Sequence, residues 1–155
     1  MAQVAIRAAN SSDIPSLIRH RRMMWWDMGR RDEAALELME QAAVEYFSNA
    51  VPDGSYRGFV AITPAGEIIG GAGIVISPWP GNLGQRQPRR AMILNMYVER
   101  EHRRKGIARE LMKTMIEWCR ENEFSSVGLH ASDDGRALYE QLGFQPTNEM
   151  RLNLA

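Results

Sequence analysis

The residues with the clearest capacity for chemistry are Arg103-Arg104-Lys105-Gly106-Ile107-Ala108. An apolar run, Ala91-Met92-Ile93-Leu94-Asn95-Met96-Tyr97-Val98, ends in a burst of charge from Glu99 to Lys105, and a glycine then opens an amphipathic helix. The first turn of a helix leaves its N–H groups without partners and carries partial positive charge, so a basic loop feeding one is an anion site. Gly106 admits a ligand close to the backbone and tolerates angles that other residues avoid. The spacing predicts a phosphate-binding loop. A second candidate is Met23-Met24-Trp25-Trp26-Asp27-Met28-Gly29. Adjacent tryptophans on a helix cannot share one side, so one is expected in the core and the other beside a cleft. An acid next to aromatic rings suits a cationic amine.

The elements that must hold these residues follow from periodicity and turn chemistry. Val4–Arg7 reads as a strand and Asn10–Asp13 as a helix cap, followed by a helix to about Gly29. A second helix is expected from Asp32-Glu33 to about Phe47, its buried stripe Ala35, Leu38, Met39, Ala42 and Tyr46. Gly58–Thr63 and Glu67–Ile76, split by Pro64-Ala65-Gly66, predict an antiparallel hairpin. Residues 78–88 read as a mobile Pro/Gly-rich loop. A strand to Val98, a helix to about Asn122 with Ala108, Leu111, Met112, Met115, Ile116 and Cys119 inward, a strand 126–130 and a helix 133–142 complete the order. Glu149–Leu154 is expected to add a last edge strand. Mixed strand and helix order argues α/β with a mixed sheet.

Composition narrows the function classes. At 155 residues one domain spanning 1–155 is expected. Lys+Arg and Asp+Glu both number 19, so the basic cluster is local, and a nucleic-acid partner is not expected. The lone cysteine, Cys119, reads as core, and His20, His102 and His130 show no metal spacing, so no metal is expected. His20 and His102 read as surface residues and His130 as structural within a strand. No apolar run approaches ~20 residues and no signal-peptide pattern opens the chain, so a cytoplasmic protein without a membrane partner is expected.

Two motifs together resemble the GCN5-related N-acetyltransferase (GNAT) superfamily. One is the Gln/Arg-x-x-Gly-x-Gly/Ala loop, here Arg103 to Ala108. The other is Ala137-Leu138-Tyr139-Glu140-Gln141-Leu142-Gly143-Phe144. The resemblance implies a mixed, mostly antiparallel sheet with a splayed central strand pair and about four flanking helices. It implies acetyl-CoA as donor, with Arg103, Arg104, Lys105, Gly106, Ile107, Ala108 and Arg109 around the pyrophosphate and the backbone of Met96 and Val98 along the pantetheine arm. Tyr139 matches the general acid that protonates the departing thiolate, with a further contact to the donor, and the Met96 amide matches the polariser of the carbonyl. Two positions depart from the pattern: Ser132 stands where an Asn is common, and Gly135 where an Ala is usual. Ser132 retains hydrogen-bonding capacity toward the cofactor.

Acceptor pockets in such relatives are built by the first helix pair and the loop before the motif strand, so Trp26, Asp27 and Trp79 are the expected acceptor-site residues. The base is open among Asp27, Glu67, Glu99 and ordered water. The implied activity is N-acetyl transfer to a small-molecule or peptide amine in a ternary complex. The competing reading is a non-catalytic acyl-CoA-binding or sensing module. Such relatives are often dimers, which leaves a homodimer open.

Overall fold

The structure, a computed structural model, describes residues 3–155. Strand β1 (Ala5–Ala8) leads through a short 3-10 turn into α1 (Ile14–Asp27) and α2 (Glu33–Asp53). Strands β2 (Tyr56–Ile62), β3 (Ile68–Pro78) and β4 (Arg89–Val98) follow, then α3 (Ile107–Glu121), β5 (Val127–Leu129) and α4 (Asp133–Gln141). The sheet order is β1-β2-β3-β4-β5, antiparallel except for the parallel β4–β5 pair. That pair is registered only from Ala91–Val127 to Ile93–Leu129. Beyond Ile93 the two strands part, which leaves one edge of β4 open from Leu94 to Val98. The expected splayed pair is present.

The capping residues act as the sequence suggests. The Asn10 side chain accepts from the Ser12 amide at 2.9 Å, and the Asp13 carboxylate accepts from the Asn10 amide at 2.8 Å. Asp13 also accepts both Arg7 guanidinium nitrogens, at 2.7 and 2.9 Å, which ties β1 to the start of α1. The Arg7 hydrogen bonds hold the Asp13 carboxyl below the usual carboxylate range.

One side of the sheet packs Ile69, Ala72, Ile74 and Ile93 against Ile107, Leu111, Met112, Met115 and Cys119 of α3. The other carries α1 and α2, with Leu17, Ala43, Phe47, Ala50, Tyr56 and Val60 as its cluster. Glycines set how closely α1 can approach. A Cβ on Gly73 would stand 2.1 Å from the Tyr56 ring, and one on Gly71 would stand 3.3 Å from His20 Nδ1.

Several sequence expectations change. α2 runs on to Asp53, where Gly54 closes it in a left-handed turn, and it buries Leu36, Ala43, Phe47 and Ala50. Leu38, expected inward, is 67% exposed. The helix offers two apolar stripes a fraction of a turn apart, and the one that brings Phe47 to 4.8 Å from Tyr56 is buried. His20 is 1% exposed, not a surface residue, because it lies over Gly71 and against Tyr97 at 5.2 Å. His130 lies just past β5, exposed.

Residues 149–154 form no strand. An alternating pattern makes a strand only where a sheet edge supplies hydrogen bonds, and three-residue β5 gives this tail none. The tail is held by side chains instead, Glu149 at 3.3 Å and Arg151 at 3.4 Å from His130. The loop 79–88 is tied rather than loose. The Trp79 amide donates to the Pro88 carbonyl at 2.9 Å, and the Gln85 side chain accepts from the Ser125 amide at 2.9 Å.

Candidate active site

At the end of β4 the chain turns through Arg104 at φ 60° and Gly106 at φ 82°. Gly106 is the N-cap of α3 and supplies no side-chain cap. The first helical hydrogen bond runs from the Glu110 amide to the Gly106 carbonyl at 3.1 Å. The amides of Ile107, Ala108 and Arg109 therefore have no helical acceptor, as a helix start requires. Nothing lies within 4 Å of where a Gly106 Cβ would stand, so the space beside the turn is open. Arg104 and Lys105 are exposed and make no ion pair among the described residues. Unclaimed amides, a helix dipole and two free cations fit a pyrophosphate.

The flanking arginines have other work. Arg103 donates from Nε to the Val98 carbonyl at 2.7 Å and from Nη2 to Asp27 at 2.6 Å, over the Tyr97 ring at 5.3 Å. It fixes the loop's position, with its guanidinium turned toward α1. Arg109 bonds Gln141, which joins α3 to α4 two residues past Tyr139.

Along β4, two residues, Asn95 and Met96, face the single β3 residue Ala72 between the Gly73–Leu94 and Gly71–Tyr97 pairs. This bulge puts Asn95 at φ 65°, and its Nδ2 donates to the Leu17 carbonyl of α1 at 2.9 Å. The break in the apolar pattern at Asn95 therefore marks a re-aimed backbone beside the open edge. Met96, the expected carbonyl polariser, is its second residue, and Val98 closes the strand.

Tyr139 is 8% exposed, and burial pushes its hydroxyl up, which keeps the proton on the oxygen. Its ring lies back over Gly135, where a Cβ would stand 2.7 Å from a ring carbon. The departure from alanine at 135 is thus the space the tyrosine occupies. Ser132 is the N-cap of α4 and accepts from the Gly135 amide at 3.2 Å, leaving its own hydroxyl hydrogen to donate. A broad cleft of about 830 Å³ borders Tyr139, Leu129, Ala131 and the C-terminal tail, and none of residues 103–109 lines it.

The three acceptor-site expectations do not converge. Asp27 accepts from Arg100 at 2.7 Å and from Arg103 at 2.6 Å. Burial alone would raise its carboxyl, and the two arginine hydrogen bonds outweigh that and hold it low. Its charge is therefore already answered and is not available to a cationic amine. Trp26 is half-buried beneath the Arg31 guanidinium, 5.2 Å away. Trp79 lies beyond the first residues of β4, stacked on Arg90 at 4.1 Å. A strand the length of β4 spans roughly 30 Å, and Asp27 and Trp79 stand at its opposite ends. Among the other base candidates, Glu99 is held low by its hydrogen bond from Arg19, and Glu67 sits in the β2–β3 turn, its amide on Thr63.

Four polar atoms beside α1 escaped the sequence. His20 Nδ1, Trp25 Nε1, Tyr56 Oη and Asn95 Oδ1 are buried with no partner. Nothing in the sequence marks Tyr56, whose hydroxyl lies over Gly73 one strand from the bulge. Only the run of glycines in β3 signals that large side chains press on the sheet there.

Comparison with known proteins agrees with this fold. Residues 20–144 match the sequence model of the Acetyltransferase (GNAT) family. A GCN5-related N-acetyltransferase from Ralstonia eutropha JMP134 superposes with a TM-score of 0.90 at 31% identity, covering 98% of this chain and 99% of that one. A predicted acetyltransferase from Clostridium acetobutylicum, solved with acetyl-CoA, gives 0.88 at 27% identity, covering 98% and 97%. Human N-acetyltransferase 8 is 33% identical over 64 residues, 39% of this chain. The match spans only 28% of that curated relative's length.

Proposed function

The chain belongs to the Acetyltransferase (GNAT) family, and from that premise we propose that it moves an acetyl group from acetyl-CoA to a primary amine of a small molecule or peptide, by direct transfer in a ternary complex. One observation carries the reading: β4, without a β5 partner beyond Ile93, runs into a glycine turn and the unclaimed amides that open α3. The fold's likeness to the Clostridium protein, which was solved with acetyl-CoA, supports the donor.

Acetyl-CoA supplies an acetyl group activated as a thioester. The amides of Arg104 to Arg109, with the charges of Arg104 and Lys105, hold its pyrophosphate. The backbone of Met96 and Val98 runs along the pantetheine, and the Ser132 hydroxyl donates to it. The Met96 amide polarises the carbonyl oxygen while the amine nitrogen bonds to the carbonyl carbon. Tyr139 gives its proton to the sulfur as the C–S bond opens, and a placed acid of this kind is worth ~10²–10⁴ in rate. Free amines titrate near ~10, so the acceptor must also lose protons. Asp27 and Glu99, both held low by arginine partners, are weak bases for this step.

Calorimetry with acetyl-CoA and free-thiol release across an amine panel test the proposal. Saturable binding with thiol release is expected. Absence of binding at millimolar acetyl-CoA would overturn the donor assignment. Binding with no release from any amine would favour a non-catalytic acyl-CoA module.

A further inference from the structure

The run Arg19-His20-Arg21-Arg22 on α1 contains three arginines in very different situations. Arg19 pairs with Glu99, and Arg22 pairs with Glu33 and Glu40. Arg21, between them, is half-buried and makes neither an ion pair nor a hydrogen bond among the described residues. Burial lowers its readiness to stay charged, and the groups whose fields reach it are Tyr46 and Tyr56, with no carboxylate among them. A desolvated guanidinium without a counter-ion is costly, and proteins keep few of them.

Its place in the fold gives that cost a use. Arg21 stands one helical turn beyond Leu17, on the same face of α1. The Leu17 carbonyl anchors Asn95 of the bulge. Tyr56, whose hydroxyl has no partner, lies over Gly73, and Gly73 pairs with Leu94 next to that bulge. Trp25, one more turn along, has a buried indole N–H with no acceptor. Three unused donors thus stand on the α1 side of the sheet, and Tyr56 among them lies over the strand pair that flanks the β4 bulge.

Resting on the acetyl-transfer reading above, we propose that the acceptor amine carries a carboxylate, received by the Arg21 guanidinium with Tyr56 and Trp25 beside it. One guanidinium among aromatic walls suits a monoanion, whereas a phosphate dianion would call for more positive charge. Asp27, already neutralised by two arginines, leaves this anion-reading group as the charged recognition element of the α1 face.

The test is free-thiol release with matched acceptors: an amino acid, its carboxamide, its decarboxylated amine and a phosphate-bearing amine. The carboxylate-bearing acceptor is expected to show at least tenfold higher kcat/KM than its carboxamide and decarboxylated partners. In Arg21→Gln that advantage collapses through KM, with turnover of the decarboxylated amine and affinity for acetyl-CoA unchanged. Arg21→Met, which removes an unpaired desolvated charge, keeps or raises the melting temperature. Turnover of amines without a carboxylate preference, a preference for the phosphate-bearing amine, or an equal fall on every acceptor in Arg21→Gln would each overturn the inference and leave acetyl transfer standing. A lower melting temperature in Arg21→Met would also overturn it, since Arg21 would then be a structural brace. Acetyl-CoA binding with no turnover of any amine would overturn the underlying reading and this inference with it.

Discussion

The two faces of the sheet are built to opposite standards. Against α3, the buried side chains at the centre are Ile69, Ala72, Ile74, Leu111, Met112 and Met115, all hydrocarbon or thioether and at most 1% exposed. Against α1, the sheet meets His20, Asn95 and Tyr56, and each keeps a buried polar atom with no partner. Natural interiors leave few such atoms unsatisfied. With Trp25 they make four of the six such atoms among the described residues: the α3 face is the cohesive one, and the α1 face is the one proposed to reserve polar groups for an acceptor. Tyr139 crosses that division, packed within the apolar face and proposed as the proton donor.

The sharpest challenge to the comparison is therefore Tyr139→Phe. It should bind acetyl-CoA normally by calorimetry and lose ~10²–10⁴ in turnover; unchanged thiol release would remove Tyr139 from the acid role. Next comes Leu111→Ala on the cohesive face, expected to lose ~3 kcal/mol in denaturant unfolding while the folded fraction keeps its kcat. A loss below ~1 kcal/mol would mean that the α3 face is not where cohesion resides.

The reserved face should reveal itself through pH. Burial lowers His20 to about 4, so the fold favours its neutral form. Its contribution is complete above the unfolded value near 6.5 and is lost as pH falls from there toward 4, by on the order of 3 kcal/mol. The groups facing it are Glu99, which opposes the shift, and Arg19, which adds to it. His20→Asn should flatten stability across that window, and an unaltered slope would assign it to other groups. The smallest effect is expected from Gly106→Ala: strain at φ 82° costs ~1–2 kcal/mol, read as lower stability in denaturant unfolding.

Legibility in the sequence followed the same divide. The glycine turn into α3 could be read because its geometry is local: a strand, a glycine and a helix start within a dozen residues fix the amides whatever packs around them. The α3 stripe was legible for the same reason, since period and burial agree. What sequence reasoning missed depends on distant partners. His20 sits in a basic run that looks solvated, and only Gly71, some fifty residues on, makes room for it. Asp27 looks like an amine-reading acid until β4 delivers Arg100 and Arg103 to it. Tyr56 is unremarkable until Gly73 lies beneath its ring. The tail 149–154 has the alternation of a strand, and alternation cannot say whether an edge will be offered.

Cys119, at 4% exposure on the apolar side of α3, has its thiol pushed up by burial to about 11. It is the chain's sole cysteine. Thiolate, not thiol, reacts with disulfide reagents and thioesters, so at neutral pH the folded polypeptide is silent toward both. Colour developed by an aromatic disulfide dye in a turnover assay then belongs to the leaving cofactor thiol, and a slow rise with neither acetyl-CoA nor acceptor present reports unfolding.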